Sequence, residues 1–103
     1  MNGTMNQHDL IQNAWSLTEA IEEAVGQEDW ARAAELADVR APLVMAIQAE
    51  QPAAALEIIR KIQASIDAVA ARARDAQTSL ATTYRRSMEG AQAASRYHQA
   101  ARF

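Results

Sequence analysis

The chain has 103 residues and no cysteine, which excludes disulfide staples, thiolate metal sites and cysteine nucleophiles. It is long enough for one domain with one modest core. Three Gly and two Pro among mostly helix-forming residues predict an all-α protein. The N-terminus lacks a basic region followed by an apolar run, and no stretch approaches the ~20 apolar residues of a membrane span. We therefore expect no signal peptide and no membrane insertion.

The charge of the chain is unevenly distributed. Residues 1–52 carry two basic and nine acidic side chains, a formal charge of −7, whereas residues 53–103 carry eight basic and four acidic ones, a charge of +4. This pattern favours acidic helices packed beside a basic helix, with mixed charges that keep the surface soluble. The arginines are interrupted by acids and form no dense run, so we expect no nucleic-acid partner.

The first predicted helix covers residues 6–25. Asn6 with Asp9, or Thr4 with Gln7, can supply its start, because a polar side chain accepts an unpaired N–H group there. We expect Gly26 to end the helix as a left-handed cap. Its apolar stripe, with the spacing of an amphipathic helix, consists of Leu10, Ala14, Leu17, Ile21 and Ala24.

The second predicted helix covers residues 28–49, with a kink near Pro42, because proline removes one backbone hydrogen bond and clashes with the preceding turn. It carries two apolar lines. One line is expected to meet the other helices and the other to stay partly exposed for a partner; the alternative is that a wide three-helix contact buries both. The first line is Ala33, Ala37, Val44 and Ile47, and the candidate partner-binding line is Leu36, Val39 and Leu43.

The third predicted helix, residues 52–89, is the element against which the other two pack. Pro52 suits the first helical position, where a missing N–H group is no loss. The apolar residues after it recur every three or four positions. The predicted architecture is a three-helix antiparallel bundle forming a single domain over residues 1–103. Gly90 is expected to loosen the helix, and residues 91–103 either continue it or fold back as a short fourth segment.

The third helix is predicted to be much longer than its partners. At ~1.5 Å per residue it spans roughly 55 Å, against roughly 30 Å for each of the first two. Its stripe beyond Asp75 is therefore expected to be uncovered, and the tail, a second subunit or a client could lie against it. We expect a homodimer with Leu80 and Tyr84 at its interface. The candidate partner-binding residues on this stripe are Ala76, Leu80, Tyr84 and Met88.

The sequence offers little for catalysis. His8 and His98 have no second ligand at metal-binding spacing, and there is no phosphate loop or nucleophile elbow. The spacing of Arg60, Asp67 and Arg72 is similar to that in the first helix of all-helical chorismate mutases, but no comparable charged groups follow. We expect a binding protein without enzymatic activity, metal or cofactor.

Three features resemble the FliT family of flagellar export chaperones, over about residues 8–98. A short amphipathic helix leads into a Gly–acid–Trp turn at residues 26–30. Arg40 follows about ten residues past Trp30. A long helix then reaches Gly90 and a segment of small residues with Tyr97.

This resemblance implies a small cytoplasmic helical bundle that holds the filament-cap protein before type III export and contacts the export apparatus. It makes Tyr97 a further candidate partner-binding residue. Two other classes are weighed against it. One is the WXG-type secreted helical proteins, which also have about one hundred residues and a Trp between helices. The other is a structural coiled-coil subunit.

Overall fold

The protein is built from three helices. The computed structural model describes the backbone of residues 6–100 and the side chains of residues 6–93. The helices are α1 (Gln7–Gly26), α2 (Trp30–Met45) and α3 (Ala53–Ala100), and residues 6–100 contain no strand. The predicted all-α fold with a long third helix is confirmed. The chain divides into two compact units, with the boundary between Val69 and Ala70.

Helix α1 begins at one of the two predicted caps. The Asn6 side chain accepts a hydrogen bond from the Asp9 N–H group at 2.8 Å, which satisfies one of the unpaired donors of the first turn. The apolar stripe then faces inward over the length of the helix. The buried apolar residues of α1 are Leu10, Ile11, Ala14, Ile21, Ala24 and Val25.

The predicted left-handed cap at Gly26 is wrong. Gly26 is the last residue of α1, and the left-handed conformation falls on Glu28, with φ of 59°. The N–H groups of Gln27 and Glu28 still bond to carbonyls of the last helical turn, so the chain reverses only after them. The Asp29 N–H group then reaches the Ala24 carbonyl at 2.8 Å. A glycine near a helix end permits a left-handed residue there but does not require it.

The core joins α1, α2 and the first part of α3. Ile21, Ala24, Val25 and Ala33 form a buried cluster, and Trp30 packs against it from the first turn of α2. The other side chains that pack on this cluster are Leu36, Ala37 and Val69. A tight contact between helices is possible here because alanines occupy two of the four cluster positions.

Helix α2 is shorter than predicted at both ends. Asp29 is its N-cap, with a side chain that accepts the Arg32 N–H group at 3.1 Å, and the helix ends at Met45 rather than at residue 49. Pro42 lies inside it. Beyond this end the Ile47 N–H group bonds to the Val44 carbonyl, three residues back, and the Gln48 N–H group bonds to the Gln7 side chain at 2.9 Å in place of a helical carbonyl. The kink near Pro42 stays a prediction.

Gln7 holds the connection between α2 and α3 in place. Its side-chain Nε2 donates to the Ala46 carbonyl at 3.2 Å, and its Oε1 accepts from the Gln48 N–H group. The same Oε1 accepts from Gln51 Nε2 at 2.7 Å, and Gln51 Nε2 also donates to the Gln48 carbonyl. One amide on the first turn of α1 thereby satisfies polar groups of the turn between the other two helices.

Helix α3 runs past its predicted end. It continues through Gly90 to Ala100, so the predicted end at residue 89 is wrong, and of the two alternatives for residues 91–103 continuation of the helix is the one found for residues 91–100. A glycine inside a helix costs about 1 kcal/mol relative to alanine. The neighbours Glu89, Ala91 and Gln92 are all good helix formers. Residues 91–100 do not fold back as a fourth segment, and residues 101–103 lie outside the described part of the chain.

We expect Ile62→Ala to lower the free energy of unfolding by about 2–5 kcal/mol, because a buried Ile loses its contacts and leaves a cavity. Ile62 is 2% exposed. Val39→Ala is the matched control, since Val39 is 58% exposed on α2. It is expected to change stability by less than about 0.5 kcal/mol. Urea unfolding followed by circular dichroism measures both. Equal stability of the two variants would show that the α3 stripe is wrongly assigned.

Candidate functional site

The largest exposed apolar side chains on α3 lie in residues 70–93, which we call the arm. Leu80 is 71% exposed, Tyr84 67% and Met88 46%, while Ala76 is half-buried. These residues follow one another at intervals of four, so they form one stripe along the helix. We call Leu80, Tyr84 and Met88 the arm stripe. Such a run of large apolar side chains in water is typical of a surface that binds another chain.

Arginines accompany the arm stripe. Arg72, Arg74, Arg85 and Arg86 are all exposed, and no described residue forms an ion pair with any of them. The acids of the arm are Asp75 and Glu89, also exposed. The arm therefore combines apolar surface with a surplus of positive charge. This combination suits a partner with apolar and acidic groups.

The candidate line on α2 divides between core and surface. Leu36 is half-buried and packs against the core cluster, whereas Val39 is 58% exposed. Leu43 is half-buried. On the other line, Ala33 is buried and Ala37 packs on the cluster. The two lines thus share the burial, and Val39 is the member of the candidate line that solvent reaches most.

A groove between the end of α2 and the start of α3 escaped the sequence reasoning. It has a volume of about 340 Å³ and a mostly apolar lining, with Arg60 among its polar residues. The spacing of apolar residues predicted that the side chains lining this groove are buried in the helix stripes. The groove was not predicted because the second helix was expected to continue to residue 49. Because α2 ends at Met45, residues 47–49 lie outside the helix, and they line this groove. The apolar lining residues are Val44, Ile47, Leu56, Ile59 and Ile62.

A second groove of about 430 Å³ lies between α1 and the start of α3. Ile11, Pro52 and Ile58 line it, with His8 and Gln51 among its polar residues. It contains no acidic or permanently charged side chain. Both grooves border the connection that Gln7 holds, and neither brings together groups that could act as a nucleophile with a base.

Arg40, one of the residues that carried the family resemblance, is buried rather than displayed. It is 7% exposed, and its Nη1 donates to Thr18 Oγ1 at 3.0 Å. Thr18 Oγ1 in turn donates to the Ala14 carbonyl at 2.7 Å. Desolvation by burial lowers the pKa of the Arg40 guanidinium. Within residues 6–93 no carboxylate pairs with it. The sequence contains a signal for this burial, since Arg40 lies between Ala37 and Val44 on the inward line of α2.

We expect Arg40→Met to leave the free energy of unfolding unchanged or to raise it by up to about 4 kcal/mol, since an apolar chain of similar length removes a desolvated charge. Thr18→Val is expected to lower it by about 1–3 kcal/mol, because the buried guanidinium loses its hydroxyl partner. In the Arg40→Met background, Thr18→Val is expected to cost much less. Urea unfolding of the parent, the two single variants and the double variant at neutral pH measures the coupling free energy between the two side chains. Strictly additive effects would contradict the coupling.

The described residues contain no group of three or more His, Asp or Glu side chains that could hold a metal ion. No helix within the described range is both long and apolar enough to cross a membrane. Tyr97, the last candidate partner-binding residue, lies outside the residues whose side chains the structure describes.

Comparison with known proteins adds one family. The family model described as flagellar protein FliT matches residues 8–99, which is most of the chain. The chain matches no curated protein sequence and no solved structure.

Proposed function

The chain belongs to the FliT family of flagellar export chaperones, and we propose that its client is the filament-cap protein. In this proposal the chain is cytoplasmic and holds the cap protein until type III export. The observation that supports client binding is the exposed arm stripe. A chaperone of this kind needs apolar surface that its own fold leaves uncovered and that a client can bury. Leu80 and Tyr84, both more than two-thirds exposed, provide it.

The proposal gives the chaperone no chemistry of its own. Burying apolar surface supplies about 25 cal/mol for every Å², and this term alone can drive the docking of a client helix. On α2, Val39 and Leu43 are proposed as further client contacts, with Leu36 supporting them from the core side. The export apparatus is proposed as a second partner on the basis of family membership. We propose that the protein catalyses no reaction and needs no cofactor.

We expect Leu80→Asp to abolish co-purification of the cap protein, because a carboxylate in the middle of the arm stripe would have to be buried without a partner. Ser79→Asp is the matched control: it adds the same charge to the same helix, and Ser79 is exposed ~140° around the helix from Tyr84. Co-expression with the filament-cap protein from the same cell, followed by affinity capture, measures both. Circular dichroism of the free variants shows whether each keeps its helices.

Capture of the cap protein by Leu80→Asp as well as by the parent would contradict the arm stripe as client site. Failure of the parent itself to capture the cap protein would contradict the client.

We further propose that the free protein is a homodimer in which the arm stripes of two copies cover each other. The charges support such a pair. Glu19, Glu22 and Glu23 are exposed on α1, so the acidic flank of one copy can receive arginines from the arm of the other. Covering Leu80 and Tyr84 in this way would keep the arm stripe out of water until a client displaces the second copy.

Sedimentation velocity tests the dimer. We expect the parent to sediment as a dimer at micromolar concentration and Leu80→Asp to sediment as a monomer, because two carboxylates would face each other across the pair. Ser79→Asp is expected to remain a dimer. A parent that is monomeric at all concentrations would contradict the proposal. A dimeric Leu80→Asp variant would place the contact elsewhere.

A further inference from the structure

The arm stripe has two different edges, and this difference bears on what the client looks like. With ~100° of rotation per residue, Arg74 and Arg85 lie ~80° and ~100° from Tyr84 on the same side of the helix. They are three turns apart, or roughly 16 Å along the axis. The opposite edge carries Ala76 and Thr83. One edge of the stripe is therefore basic, and the other has no charge as close to Tyr84.

Other charges of the arm do not cancel this basic edge. Asp75 lies ~180° from Tyr84, on the far side of the helix, together with Arg86 at ~160°. Arg72 lies ~120° from Tyr84 on the side of Ala76. Glu89 is the nearest acid, one turn beyond Arg85, and the two make no ion pair in the described part of the chain. No described residue pairs with the guanidinium groups of Arg74 and Arg85, so these groups can receive carboxylates from a partner.

We infer that the arm binds an amphipathic helix that carries acidic residues along one edge of its apolar face. Helix-in-groove contacts place a partner's apolar side chains against the stripe, and its flanking residues then face the two edges. Carboxylates are the groups that Arg recognises best, because two N–H donors of the guanidinium match two oxygens. Acids ten or eleven residues apart on the partner would match the ~16 Å between Arg74 and Arg85.

The inference rests on the proposed function for the identity of the client but not for its chemistry. The basic edge selects one orientation of the bound helix, because reversing the partner would set its uncharged edge against the arginines. Surface pairs of this kind contribute more to specificity and association rate than to affinity. The apolar stripe therefore supplies most of the binding free energy, and the edge determines which helix is accepted.

The test compares two double variants of equal charge. Arg74→Gln/Arg85→Gln removes the basic edge, and Arg32→Gln/Arg86→Gln removes two exposed arginines that lie off it. With the filament-cap protein of the same cell as probe, we expect the first pair to raise the Kd roughly three- to tenfold and the second to leave it unchanged. Raising the salt from about 0.05 M to about 0.5 M is expected to weaken the parent more than the edge variant.

A pair of synthetic helical peptides separates the two proposals. Both peptides have the same leucine stripe, and one has Glu and the other Lys along one edge. We expect the parent to prefer the Glu peptide and the edge variant to lose that preference. If the cap protein does not bind but the Glu peptide is preferred, the inference holds and the proposed client fails.

Three outcomes would overturn the inference. If Leu80→Asp loses the cap protein while the edge variant binds it as the parent does, the arm stripe is supported as the client site. The acidic edge of the client helix is then contradicted. If the edge variant changes only the monomer–dimer equilibrium, a second copy is the occupant of the edge. If neither peptide is preferred and the edge variant matches its control, the arginines have no role in recognition.

Discussion

The structure depends on an imbalance in helix length. Helices α1 and α2 have 20 and 16 residues, whereas α3 has 48. The apolar face of α3 repeats along most of its length, but two short helices can bury only part of such a face. Burial accordingly separates along α3: Ile62 is fully buried, and Leu80 is largely exposed. The same stripe that builds the core in one compact unit becomes a surface in the other.

The core contains a charged side chain at a position where the helical spacing predicts an apolar one. Arg40 lies on the inward line of α2, and its only hydrogen-bond partner among the described residues is the Thr18 hydroxyl. Thr18 is itself held by the Ala14 carbonyl, so the polar contact is fixed on both sides. Such an arrangement stabilises less than well-packed apolar groups would. It does tie α1 and α2 to one register, since Nη1 reaches Oγ1 only when Arg40 and Thr18 lie close together.

Sequence patterns predicted the helices well and their ends poorly. The spacing of apolar residues identified all three helices, and Asn6 and Asp9 marked the start of α1, because both signals are local. The cap at Gly26 was wrong because glycine permits a left-handed residue without requiring one. The predicted helix end at residue 89 was wrong because a single glycine inside a helical sequence need not end the helix. The groove at the end of α2 was missed because Gln7, far away in sequence, takes the hydrogen bond of Gln48. The burial of Arg40 was not predicted, although Arg40 falls between Ala37 and Val44 on the inward line of α2. The exposed members of the arm stripe, Leu80 and Tyr84, follow from local spacing together with helix length.

The Gln7 side chain also has a consequence for how the chain folds. Its hydrogen bonds to residues 46, 48 and 51 join positions 39, 41 and 44 residues apart. Bringing the ends of so long a segment together costs conformational entropy that local helix formation does not. The three helices can start to form independently. The turn before α3 forms all its hydrogen bonds only when the first turn of α1, with Gln7, packs against it. The connection between α2 and α3 is therefore fixed by the first turn of α1, through a non-local step that local helix formation does not accomplish.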